Sequence, residues 1–140
     1  MKKHLISLTM SLALLTSAAA YAQSSQLMKV NVPFDFTVGN SSLPAGQYTL
    51  SANDNAGGVL TLQNPKAKKG AMVLSLACES TKPAPHSELI FHRYGDSYFL
   101  SEVWVGGRSI GQQVRTTKHE MEIARNNNSK GQVILTAGLK

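Results

Sequence analysis

The sequence predicts an all-β fold, a small antiparallel barrel or sandwich of roughly eight strands with one short C-terminal helix. Three observations carry that expectation. Short runs of alternating apolar and polar residues recur along the chain, broken every eight to twelve positions by Gly, Asn, Asp, Ser or Pro. Two β-rich arms between Glu88 and Val105 flank Gly95-Asp96, the chemistry of a tight hairpin. One stretch alone, Thr117-Lys118-His119-Glu120, matches the S/T-x-x-E box that opens a helix.

The first segment in order does not belong to that fold. Lys2 and Lys3 precede an uncharged run from Leu5 to Leu15, and a small-residue stretch ends in Ala20-Tyr21-Ala22. This is the order of a secretory signal cleaved after Ala22. The apolar run is about half of the roughly 20 residues a membrane-spanning helix needs. No cysteine adjoins the site to accept a lipid, and no later stretch is long enough to span. Residues 1–22 therefore read as a signal peptide and residues 23–140 as a single soluble β-rich domain, periplasmic or extracellular.

Cleavage leaves 118 of the 140 residues and lowers the net charge from +6 to +4. That length suits one domain. Cys78 is the only cysteine, so no internal disulfide forms. Lys66, Lys68 and Lys69 make the densest cationic cluster. It reads as a solvated turn, or as a patch for anionic surface polymer or lipid headgroups. No aromatic residue is interleaved with it and export removes the usual partner, so nucleic acid is not expected.

Within the domain, Phe34, Phe36 and Val38 alternate with Asp35 and Thr37, and turns follow at Gly39-Asn40-Ser41-Ser42 and Leu43-Pro44-Ala45-Gly46. Tyr48, Leu50 and Ala52 form the next alternating run, ended by Asn53-Asp54-Asn55 and Gly57-Gly58. Val59–Gln63 and Ala71–Glu79 are further strands. In the second, Met72, Leu74, Leu76 and Cys78 share a face that reads as the core side, which makes Cys78 a buried, unreactive thiol.

If Gly95-Asp96 is the hairpin loop, residues whose numbers sum to 191 lie opposite one another. Arg93 then faces Tyr98, Phe91 faces Leu100, Leu89 faces Glu102 and Ser87 faces Trp104. The other face pairs His92 with Phe99 and Ile90 with Ser101. Neither face is cleanly polar, so the hairpin is covered on both sides or lines a cavity. Gly106, Gly107 and Gly111 loosen the chain around Arg108, Ile110–Val114 is a strand, Met121–Arg125 a short helix and Val133–Ala137 a closing strand.

The chemistry-bearing residues are sparse. His86, His92 and His119 stand on three separate elements without metal-site spacing. There is no G-x-S-x-G nucleophile elbow and no P-loop lysine after Gly106. No catalytic residue, metal site or cofactor is assigned. The candidate ligand set lies on one predicted hairpin face: Arg93 would hold an acidic head, with Phe91, Tyr98, Trp104 and Glu102 around an apolar body. The competing reading is an Arg93 stacked on Tyr98 and paired with a carboxylate, which only stabilises the hairpin.

Val32-Pro33-Phe34-Asp35-Phe36, Gly39-Asn40, Leu43-Pro44-Ala45-Gly46-Gln47-Tyr48 and Phe91-His92-Arg93-Tyr94-Gly95-Asp96 running on to Trp104 resemble a family of small exported bacterial β-rich proteins. The resemblance spans most of the mature chain and supports a single domain with a helix at Thr117–Arg125. It implies no activity.

The leading expectation is thus a non-enzymatic ligand-binding or envelope-associated module, its partner a small amphipathic ligand or an anionic cell-surface polymer. Two alternatives stay open. One is a small exported hydrolase or isomerase using His92, Asp96 or His119. The other is a structural protein that oligomerises through an edge strand.

Overall fold

Alternation of apolar and polar residues produces strands nearly everywhere. The computed structural model describes residues 25–53 and 58–137. The export-signal reading of residues 1–22 and the break expected at Asp54, Asn55 and Gly57 lie outside them. The described strands are β1 (Ser25–Val32), β2 (Phe36–Val38), β3 (Ser41–Leu43), β4 (Gly46–Asn53), β5 (Val59–Asn64), β6 (Lys69–Glu79), β7 (Ser87–Tyr94), β8 (Ser97–Trp104), β9 (Ile110–Val114) and β10 (Lys130–Ala137), with one helix, α1 (Lys118–Asn126). The all-β class with a single short C-terminal helix is what the chain adopts. Strand β1 was not among the expected elements, and β3 occupies a segment read as two turns.

The ladders run β1-β4-β5-β6-β9-β8-β7-β10, each neighbour antiparallel. Where β9 ends at Val114, the β2–β3 hairpin takes its place. Strand β2 pairs in parallel with β8 at Thr37 and Phe99, and β3 lies near the lower part of β6. The sheet rolls until β10 comes alongside β1. No bridging register joins those two strands, so the roll stays open rather than closing into a barrel.

The inward side chains of the ten strands form one core. Its two ends differ in kind. At the end holding the β2–β3 hairpin, Phe36 meets Tyr48 and Phe91 edge-on at centroid distances of 5.2 and 5.4 Å, and Phe34 closes over Phe91 at 5.1 Å. Edge-to-face rings at such distances add to simple burial. At the opposite end, which carries the first residue of β1 and the last of β10, the inward positions are small: Ala52 on β4 and Ala77 on β6.

Two expected faces are corrected. The pairing that sums to 191 holds from Tyr94↔Ser97 to Phe91↔Leu100, but a bulge between Ile90 and Phe91 shifts the partners to Ile90↔Glu102, Leu89↔Val103 and Glu88↔Trp104. An extra residue in one strand exchanges inside for outside beyond it. Leu100 stays inward opposite Phe91, and beyond the bulge Val103 enters the core while Glu102 and Trp104 turn outward. On β6 the faces are opposite to expectation. Ala71 and Ser75 are buried, whereas Met72, Leu74 and Leu76 are exposed. Tyr48, Leu50, Leu60 and Leu62 of the neighbouring strands β4 and β5 already fill the interior, so β6 contributes its smaller side.

Candidate functional site

The small inward residues at one end leave a cavity of about 530 Å³ that opens at the rim of the roll. Val103 and Gln112, paired across β8 and β9, form one wall, and Ala77, the partner of Gln112 on β6, extends it. Ala52, Val105 and Ile110 make the remaining lining mainly apolar. Arg108 stands at the mouth beside Ser109. The Arg108 backbone is tied down on both sides: its N–H donates to Val105 O at 3.1 Å and its carbonyl accepts from Ala84 N at 3.0 Å. Gly107, in the left-handed region at φ 82°, lets the chain make this tight reversal, and its N–H donates to Ala84 O. The Arg108 side chain has no ion-pair partner among the described residues.

This volume lies within the range of small-ligand sites, typically about 300–1,000 Å³, and an apolar lining with one charged group is their usual make-up. An apolar body fits the cavity while a guanidinium waits at its mouth for a carboxylate, phosphate or sulfate.

The five residues expected to share a ligand face are divided, Arg93 remaining beside Tyr98 as expected while Glu102 and Trp104 form a separate pair. Phe91 is fully buried in the core. Tyr98 stacks on Phe34 at 3.9 Å between ring centroids. Arg93 is exposed at the hairpin end, its guanidinium carbon 5.9 Å from the Tyr98 ring and its Nε donating to Gly95 O at 2.9 Å. No carboxylate pairs with it among the described residues. Glu102 and Trp104 lie outside on the far side of the bulge, joined by a 2.7 Å hydrogen bond from Trp104 Nε1 to Glu102 Oε2. The bulge at Ile90/Phe91 is the physical reason for the separation.

The titratable residues of the enzyme reading are distributed differently. Thr117 caps α1, its Oγ1 accepting from Glu120 N at 3.2 Å. The reciprocal half of the capping box is absent, because the Glu120 carboxylate reaches the β7–β8 hairpin instead. Glu120 is only 5% exposed, and its Oε1 lies 3.0 Å from His92 Nδ1 and accepts from the Tyr94 hydroxyl at 3.1 Å. Burial first, then the Glu120 carboxylate, pushes the Tyr94 phenol up from its ordinary value. His119, from the same helix, rests against Phe99 at 6.1 Å. Asp96 and His119 do share a shallow cleft of about 190 Å³ with Asp35 and Tyr98, but no hydrogen bond joins the two. His92, Glu120 and Tyr94 thus fasten the helix to the sheet.

Cys78 is half-buried rather than fully buried. Burial, followed by the Glu102 carboxylate, raises its thiol, so the expected unreactive character is what its surroundings favour. No group of three His, Cys, Asp or Glu among the described residues is arranged to hold a metal ion, and no described helix is long and apolar enough to cross a membrane.

Only part of the cavity lining had a signal in the sequence. Ala52 is a small residue at an inward position of β4, whereas Ala77 joins it in the lining only because β6 turns inward the face that was expected outward. Arg108 was visible only as a charge amid glycines. Comparison of the chain with protein-family models, with curated proteins and with solved structures finds no match.

Proposed function

We propose that the chain is a non-enzymatic binding module of the cell envelope, exported and trimmed after Ala22. It holds a small amphipathic ligand with the apolar body against Val103, Val105 and Ile110 and the acidic head on Arg108. The observation that carries this reading is the mainly apolar cavity of about 530 Å³ whose lining includes Arg108, a cation with no ion-pair partner among the described residues. Arg108 takes the part first expected of Arg93, which is engaged with its own turn.

Calorimetric titration with dodecanoate, and with dodecyl maltoside as its uncharged counterpart, tests it. Dodecanoate should bind the more tightly, and Arg108→Ala should weaken dodecanoate by about tenfold to a hundredfold, the worth of one charge-assisted hydrogen bond, while leaving the maltoside unchanged. Ala77→Phe should abolish both, because the ring occupies the cavity. Binding indifferent to Ala77→Phe would place the ligand elsewhere and end the proposal.

The hydrolase or isomerase reading rests on the His92–Glu120 contact. Its support is weaker, because the contacts of Glu120 are used to join α1 to the hairpin and neither residue lines the cavity or the Asp96–His119 cleft.

A further inference from the structure

Strand β6 is apolar on both faces and the core uses one. The outward residues Met72, Leu74 and Leu76 are 72%, 67% and 47% exposed. The next outward position, Cys78, lies beside Gly111 of β9, and the Trp104 indole covers that glycine so closely that a Cβ there would meet its ring carbons at 2.7 Å. An apolar row therefore runs from Met72 to Cys78, about 20 Å at roughly 3.3 Å per residue. Strand β5 pairs with Lys69–Leu74 on one edge of β6 and β9 with Ser75–Glu79 on the other, and these ladders hold Met72, Leu74 and Leu76 in one outward row. A contiguous apolar row on the surface of a protein marks a contact with something else.

Charge identifies the partner. Lys66, Lys68 and Lys69 occupy the exposed turn and first residue that lead into β6. Arg115, just after β9, lines with Met72 and Leu74 a groove of about 310 Å³. None of these four cations has an ion-pair partner among the described residues. We infer that this face docks the protein onto an anionic lipid bilayer, with Met72, Leu74 and Leu76 entering the headgroup boundary and Lys66, Lys68, Lys69 and Arg115 on lipid phosphates. An apolar face rimmed by basic residues is the pattern of interfacial membrane binding. A second copy of this chain fits the face less well, because the partner would carry the same cations and the same net positive charge.

Co-sedimentation with vesicles of phosphatidylcholine and phosphatidylglycerol in a two-to-one mixture tests the inference, with pure phosphatidylcholine vesicles as the control. The protein should sediment with the mixed vesicles and remain free of the neutral ones. Replacing Lys66, Lys68 and Lys69 together by Gln should weaken partitioning about a hundredfold, in keeping with about fivefold per basic residue near the surface. Leu74→Asp should weaken it at least tenfold. Because both changes lie on the surface, unaltered circular dichroism and thermal midpoint confirm folding. The Ala77→Phe variant should still sediment, which separates surface docking from lipid taken into the cavity. Equal binding to both vesicle types, or mixed-vesicle binding unmoved by Leu74→Asp, overturns the inference. So does a concentration-dependent mass in light scattering that Leu74→Asp abolishes, since that assigns the face to a second copy.

Discussion

Glu120 shows how one side chain can serve two levels of structure. Its backbone N–H closes the Thr117 cap, while its carboxylate, nearly removed from water, accepts from Tyr94 and contacts His92 on another element. The electrostatic consequence falls on the phenol. Burial and then Glu120 hold Tyr94 above the ordinary tyrosine value of 10.0, and burial does the same to Tyr48, whose hydroxyl donates to Pro44 O. A group whose pKa is higher folded than unfolded contributes stability that is complete below the unfolded value and is lost as pH rises through the folded one. The thermal midpoint should therefore fall as pH climbs past 10, and Tyr94→Phe should fall less steeply over that span. Melting curves from pH 8 to 11 with a spectrophotometric phenol titration check this, and parallel curves for the two proteins would refute it.

Among the elements, α1 has too few turns to persist by propensity alone, since isolated helices shorter than about 12 residues are marginal in water. It depends on its cap and on its attachment to the hairpin. Thr117→Ala should cost about 1 kcal/mol, the usual value of a lost cap. Glu120→Ala should cost more, because it removes the acceptor of Tyr94 along with the attachment, and the α1 amides should then exchange with solvent faster than the β7–β8 amides. Equal protection of helix and hairpin in Glu120→Ala would show that the attachment does not matter. The same elements mark how far the sequence was legible. The Gly95-Asp96 loop and the pairing out to Phe91 follow from turn chemistry, and Gly95 does take the positive φ of 61° that the turn requires. The bulge has no local marker, so the register beyond it, and with it the grouping of Arg93 with Trp104 and Glu102, was beyond reach. For β6, alternation separates the two faces but does not say which turns inward. That choice is made by how the whole roll packs: Tyr48, Leu50, Leu60 and Leu62 are already buried on the inward side, and Ala71, Val73 and Ser75 join them there. The capping box was legible as a helix start, whereas the diversion of its carboxylate to His92 and Tyr94 depends on tertiary placement alone.

At the scale of the whole molecule the core is graded from aromatic to small. Phe34, Phe36, Tyr48 and Phe91 fill one end, and Ala52 and Ala77 leave the other hollow. The aromatic cluster and the proposed binding cavity therefore lie at opposite ends of one roll, which lets Ala77→Phe alter the cavity without disturbing the cluster. The proposed cavity and the proposed lipid-facing side are also separate, since Ala77 points in from β6 while Leu74 and Leu76 point out. One strand would serve both tasks through its two faces.

The gap between β1 and β10 separates the order of the chain from the order of the strands. Ser25 opens β1 and Ala137 closes β10 at the same rim, on strands that run side by side in opposite directions. A short Gly/Ser linker from one to the other, with new termini cut into the exposed Pro65–Lys68 turn, gives a circular permutant that starts at β6 and ends at β5. Exposed turns accept such cuts. The permutant should melt cooperatively with an unchanged far-ultraviolet spectrum, and an unfolded product would mean that the connection across the Pro65–Lys68 turn is needed to start the roll.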